Sequence, residues 1–123
     1  MKIEDVELFI KTNEQMNTLY REISLLSQKK PNDSMNKFRL NLINRVLSNS
    51  NLILKEQFKP FPEFCLFDDS ELPSNSDVTV MLSQYLNSME RFRSKNIKMD
   101  YQKDWIWNID NNNVKIETHP PSN

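Results

Sequence analysis

The sequence predicts a mainly α protein, helix-dominated α+β: a three-helix bundle with a Phe/Pro-rich strap between helices 2 and 3 and a C-terminal β-hairpin. Three observations point there. Apolar residues recur at steps of three and four across residues 3–28, 32–55 and 77–98, the period of an amphipathic helix. Pro60 and Pro62 interrupt a run of phenylalanines between the second and third of these stretches. After residue 104 the apolar period shortens to two, as in a strand. At 123 residues the chain is long enough to bury one core without metals or disulfides. It reads as a single domain over 1–118 and a tail over 119–123.

In the first helix Phe9, Thr12, Met16, Leu19, Ile23 and Leu26 form a stripe, flanked by Val6, Ile10 and Tyr20. A stripe of this length faces a core. It is barely three heptads long and lacks ordered flanking charge pairs, so a homodimer joined through helix 1 is the lesser reading. Lys29, Lys30 and Pro31 end the helix, and Asn32, Asp33 or Ser34 is placed to cap the next. So short a connection makes the first two helices antiparallel neighbours.

The second helix carries the widest apolar surface. Met35, Phe38, Leu42, Ile43, Val46, Leu47, Ile53 and Leu54 cover an arc of roughly 160°, broader than the stripe of a surface helix. Such a helix needs neighbours on two sides and is expected at the middle of the bundle. Arg39 lies within this arc and is expected to lay its stem on the core and reach solvent with its head.

Phe58, Phe61, Phe64 and Phe67 then follow at every third residue. Proline favours polyproline II, which has three residues per turn, so the rings would share one edge of a ribbon roughly 28 Å long. Residues 64–67 read equally as a short strand. Four phenylalanines left in water would forgo about 6–12 kcal/mol, against a whole-domain stability of about 5–15. Most are therefore core, with one or two left for a partner. Asp68, Asp69 and Glu71 follow, in a spacing that matches no calcium loop and lacks its glycine. They read as a solvated acidic turn ahead of helix 3.

Ser74 and Asp77 have the spacing of a capping box, and Val78, Leu82, Tyr85, Met89 and Phe92 form the seam of the third helix. Arg91, Arg93, Lys95, Lys98 and Lys103 crowd its C-terminal end, where positive charge complements the helix dipole. Trp105, Trp107 and Ile109 alternate, as do Val114, Ile116 and Thr118, with Asn111, Asn112 and Asn113 between them as the turn. Two strands alone are barely stable, so the tryptophan face must dock on the helices.

Composition narrows the chemistry. Glycine is absent, which excludes phosphate-cradling loops, dinucleotide fingerprints and nucleophile elbows. Alanine is absent too, while Asn, Lys, Ile, Phe and Met abound, which suggests the AT-rich coding of a low-GC bacterium or one of its mobile elements such as a phage. Net charge is −1 and pI about 5.8, so no overall field draws in nucleic acid or an anionic membrane. No stretch has the apolar length of a membrane span. A single cysteine and an acidic N-terminal stretch fit a cytoplasmic protein.

Cys65 between Phe64 and Leu66 is expected in an apolar, unreactive setting, and His119 sits among tail prolines. One Cys and one His do not make a zinc site, and no metal or cofactor is expected. The favoured function is a non-catalytic protein-binding accessory, adaptor or inhibitor protein that meets another protein through Phe61, Phe64, Phe67, Asp68, Asp69 and Glu71. The alternative is single-stranded nucleic-acid binding by Arg91, Arg93, Lys95, Lys98 and Lys103, with Trp105 and Trp107 stacking on bases.

Overall fold

The computed structural model describes residues 1–111 and 113–122. Asn112, at the centre of the expected 111–113 turn, and Asn123, the last residue of the expected tail, lie outside the described residues. The protein is a helix-dominated α+β three-helix bundle with a C-terminal two-stranded antiparallel hairpin. Its elements are α1 (Ile3–Lys29), α2 (Lys37–Phe58), α3 (Asn75–Lys95), β1 (Ile97–Met99) and β2 (Trp105–Trp107).

Helix α1 buries Val6, Phe9, Thr12, Met16 and Ile23, the stripe its period predicts. These residues face the bundle's own core, so the seam is not offered to a second copy. Each helix touches the other two, and the α1–α3 contact is the broadest. The second helix is therefore one side of a mutually packed triangle, with its narrower contact to α3, and is not the middle member its apolar arc predicts. Phe38 explains the difference: it is 72 % exposed, and Leu42 is exposed as well. An apolar side chain on a wheel is not thereby a buried one.

Helix α2 starts five residues later than its expected first residue, Asn32, and its cap is Asn36, whose Oδ1 accepts the Arg39 N–H at 3.1 Å. The main chain around two of the residues expected to cap it, Asp33 and Ser34, is paired elsewhere. The α1–α2 link runs beside the approach to α3: Met35 N–H donates to Pro73 O (2.7 Å), Asn75 N–H to Asp33 O (2.9 Å) and Ser76 N–H to Pro31 O (3.0 Å). Pairing there buries Met35 completely. Arg39, on the first turn of α2, is exposed.

Helix α3 is capped as expected, Ser74 Oγ accepting from Asp77 N–H at 3.1 Å. It ends at Lys95, short of the expected Lys98. Asn96 donates its backbone N–H to Arg93 O and its side-chain amide to Phe92 O, which satisfies the terminal carbonyls and releases the chain into β1. The hairpin pairs Ile97 with Trp107 and Met99 with Trp105. The segment expected to be its second strand lies on the other edge of β2. There Trp107 N–H donates to Ile116 O and Thr118 N–H to Trp105 O, around a single bridge between Ile106 and Glu117.

Trp107 docks the hairpin on the helices, as the alternation requires. Its ring meets Phe9 edge-on at 4.9 Å; Phe9 stacks on Phe92 at 5.7 Å, and Phe92 meets Phe58 at 5.4 Å. One aromatic chain thus ties β2, α1, α3 and α2 together. To bring Phe58 onto Phe92, α2 breaks at Lys55, which has φ 54° and ψ −166°.

Candidate partner-binding surface

The strap between α2 and α3 is folded, not a polyproline ribbon. Phe58 belongs to α2, and Phe64 N–H donates to Phe61 O at 3.3 Å, closing a turn over Pro62 and Glu63. The Phe64 and Phe67 rings then meet edge-on at 5.1 Å. In polyproline II, residues three apart are separated by about 9 Å along the axis, too far for that contact. Two prolines do not hold the helix beyond Pro62, and the rings gain more by folding onto the bundle. Residues 64–67 form no strand.

Two asparagines of α2, seven residues apart and so on one face, hold the strap. Asn44 exchanges a pair of hydrogen bonds with Phe67: its Nδ2 donates to Phe67 O at 2.9 Å, and Phe67 N–H donates to its Oδ1 at 3.0 Å. Asn51 Nδ2 donates to Cys65 O at 2.9 Å, while its Oδ1 accepts the Tyr85 hydroxyl at 2.7 Å. Burial, against the pull of that Asn51 bond, pushes the Tyr85 hydroxyl up to about 12. Phe64 packs against Tyr85 at 6.2 Å. Phe64 and Phe67 are thus half-buried, facing the bundle.

What the strap turns outward is a different set. Phe61, Leu66 and Leu72 are exposed, Leu66 by 46 %. Glu63, Asp68, Asp69 and Glu71 lie exposed among them. Asp68 Oδ1 accepts both the N–H and the hydroxyl of Ser70, and these bonds hold its carboxyl below the ordinary range. The strap's one lysine offsets the acids only in part, because it is one charge against four and its head is turned to Cys65. The Lys59 side chain is only 4 % exposed, and its Nζ donates to Cys65 Sγ at 3.1 Å. That bond, helped by Glu56 and Glu63, holds the ammonium above its ordinary value despite desolvation. Cys65 is itself exposed, so its surroundings are not the apolar pocket its sequence neighbours suggest.

The basic residues at the end of α3 separate into two groups. Arg91, Lys95, Lys98 and Lys103 are exposed. Arg93 is buried and bonded to Glu90 and to residues 118–120, so its guanidinium is withdrawn from that set. Trp107 is buried and Trp105 half-buried, which leaves no freely presented indole for stacking on bases. Tyr101, at the tip of the hairpin between Lys98 and Lys103, is 93 % exposed and was not among the expected aromatics. Residues 119–122 do not hang free as a tail; their main chain is held against α3.

Among the described residues, no group of three His, Cys, Asp or Glu side chains gathers where a metal ion could bind, and no helix is long and apolar enough to cross a membrane. No protein-family model, curated protein or solved structure matches the chain.

Proposed function

We propose that this is a non-catalytic protein-binding accessory protein, an adaptor or small inhibitor of a low-GC bacterium or mobile element, that docks its partner through residues 61–72. The carrying observation is that Phe61, Leu66 and Leu72 are exposed along the same segment as the exposed acids Glu63, Asp68, Asp69 and Glu71, on a backbone fixed by Asn44 and Asn51. Interfaces concentrate their energy in apolar anchors within a polar rim, and a fixed backbone lowers the ordering cost of binding. Four exposed carboxylates with Lys59 turned inward favour a basic partner. Phe64 and Phe67 support the surface from below. Capture of the native partner should fall at least about tenfold with Leu66→Asp or with Asp68→Lys and Asp69→Lys together. Undiminished capture by both variants rejects this surface.

One observation keeps a second reading alive. Tyr101 stands exposed between two lysines, an arrangement suited to stacking on a single-stranded base. A titration of labelled oligonucleotides at low salt, with Tyr101→Ala as control, decides it; no binding at low salt removes this reading.

A further inference from the structure

Residues 118–122 cross α3 at a site built around one arginine. Arg93 is 3 % exposed. A guanidinium carries five N–H donors and no acceptor, and here all five are engaged. Nε and Nη2 donate to the two oxygens of Glu90 at 2.8 and 2.7 Å. Nη1 donates to Thr118 Oγ1 at 3.0 Å and to His119 O at 2.6 Å. Nη2 also donates to Pro120 O at 2.8 Å. Glu90 completes the grip by accepting the Ser122 N–H at 3.1 Å.

Three of these contacts to the segment are with its main chain, so the grip reads backbone shape and depends on a side chain only at Thr118. The donor count also matches. Pro120 and Pro121 have no N–H, so at these two residues the main chain offers carbonyls alone, beside a guanidinium that offers donors alone, and the next N–H, that of Ser122, goes to Glu90. A residue before proline is held extended, which presents the His119 and Pro120 carbonyls in succession. Residues 119–122 remain exposed on their outer side, as a bound peptide would be and a core segment would not.

We propose that Arg93 and Glu90 form a binding site for an extended, proline-containing peptide, filled here in cis by residues 118–122 and able to take an equivalent segment from another chain. A cleft of about 440 Å³ lined by Gln84, Asn87, Arg91, Ser94 and Lys95 meets Ser122 and gives a longer ligand room along α3. Pro60 of the strap borders this cleft, but the Arg93–Glu90 grip itself touches no strap residue and does not depend on the function proposed for residues 61–72.

The test uses the full chain carrying Thr118→Val and Ser122→Pro, which removes one acceptor and one donor from the cis segment and leaves Arg93, Glu90 and the core untouched. The probe is a fluorescein-labelled peptide with the sequence of residues 116–122. By anisotropy, the variant should bind it at least about tenfold more tightly than the unmodified chain. Adding Arg93→Lys, which exchanges the planar fork for a point charge, should abolish that binding. No binding by the variant while circular dichroism shows a native fold, or binding that survives Arg93→Lys, overturns the proposal. Sedimentation of the variant mixed with the unmodified chain, whose segment is intact, separates the sources of ligand: a mixed dimer that the probe dissolves identifies a second copy, and a variant that binds probe but not the unmodified chain identifies a foreign segment. Hydrogen exchange on the unmodified chain is an independent check. The Ser122 amide, the one N–H of the segment that the site holds, should exchange by local opening, about a hundredfold faster than the central amides of α3. Exchange at the α3 rate would make the segment a permanent part of the fold and overturn the proposal.

Discussion

Replacing Lys55 with glycine should stabilise the protein, although the residue lies within α2. Its φ of 54° and ψ of −166° fall in a region that residues with a Cβ enter at a cost of about 1–3 kcal/mol. Among the described residues, Lys103 is the only other non-glycine residue with positive φ. The strained peptide turns the chain so that Phe58 reaches Phe92, and the contact between those rings helps offset it. Glycine relieves the clash and gives back about 0.5–1 kcal/mol as extra freedom of the unfolded chain. The net expected gain is about 0.5–2 kcal/mol, a rise in melting temperature of roughly 2–8 °C for a chain of this size. Urea denaturation followed by circular dichroism measures it. Lys55→Ala is the control: it keeps the Cβ and should change stability by less than about 0.5 kcal/mol, since Lys55 is exposed. An unbroken helix gives the opposite sign, because glycine in a helix interior costs about 1 kcal/mol. A loss of that size on Lys55→Gly would refute the break in α2 and the account of how Phe58 is placed.

Asn44→Ala removes both bonds that hold Phe67 and should cost about 1–3 kcal/mol, with faster hydrogen exchange at the Phe67 amide; unchanged protection there would mean that the strap is held by its rings alone. Tyr85→Phe deletes the bond to Asn51 without opening a cavity and should cost about 0.5–1.5 kcal/mol in the same urea assay, a loss above about 3 showing that the hydroxyl does more. Partial burial alone would raise the Glu90 carboxyl, but hydrogen bonds from Arg93 and Ser122 and the charge of Arg93 hold it at about 2, below its ordinary 4.5. A depressed carboxyl stabilises the fold above its ordinary value, and that contribution is lost as pH falls from 4.5 toward 2. After screening at the solvent-facing side of Glu90, its share is roughly 1–2 kcal/mol. Comparing the chain with Glu90→Gln should therefore show a gap in unfolding free energy near neutral pH that closes across this window, and a gap independent of pH would refute the assignment.

The helices were legible because their period is a property of the chain alone. Helix α1 begins at the expected residue, and α3 takes the cap that Ser74 and Asp77 announce. Local rules failed where distant segments compete for the same groups. Residues 31–35 carry good caps, yet pairing with residues 73–76 claims their backbone first, and α2 must wait for Asn36. In the strap, two prolines suggested a period of three, but the rings fold onto Tyr85 and onto each other, which no local preference can weigh. Three of the four outward acids, Asp68, Asp69 and Glu71, are read from the sequence as an acidic turn; Glu63, and which apolar residues stand with them, are not. Phe64 and Phe67 face inward, and Leu66 and Leu72 take their place at the surface.

Arg93 shows most clearly what separates the two kinds of information. In a run of cations it looks like Arg91 and Lys95, which face water. Its position says otherwise, since it follows Met89 by four residues and Tyr85 by eight and so continues the buried stripe of α3. Periodicity can therefore show that a polar side chain is turned inward. It cannot show what that side chain meets, because the partners of Arg93 lie up to 27 residues away, those of Asn44 lie 23 away, and those of Asn51 as far as 34. A buried polar group without a partner is costly, so each inward polar residue on an otherwise apolar stripe implies a long-range contact that tertiary structure must supply. In this protein those contacts fix the two segments most open to partners, the acid-bearing strap and the main chain of residues 118–122. The two surfaces proposed for recognition are thus positioned by Asn44, Asn51 and Arg93, side chains that the hydrophobic pattern leaves out.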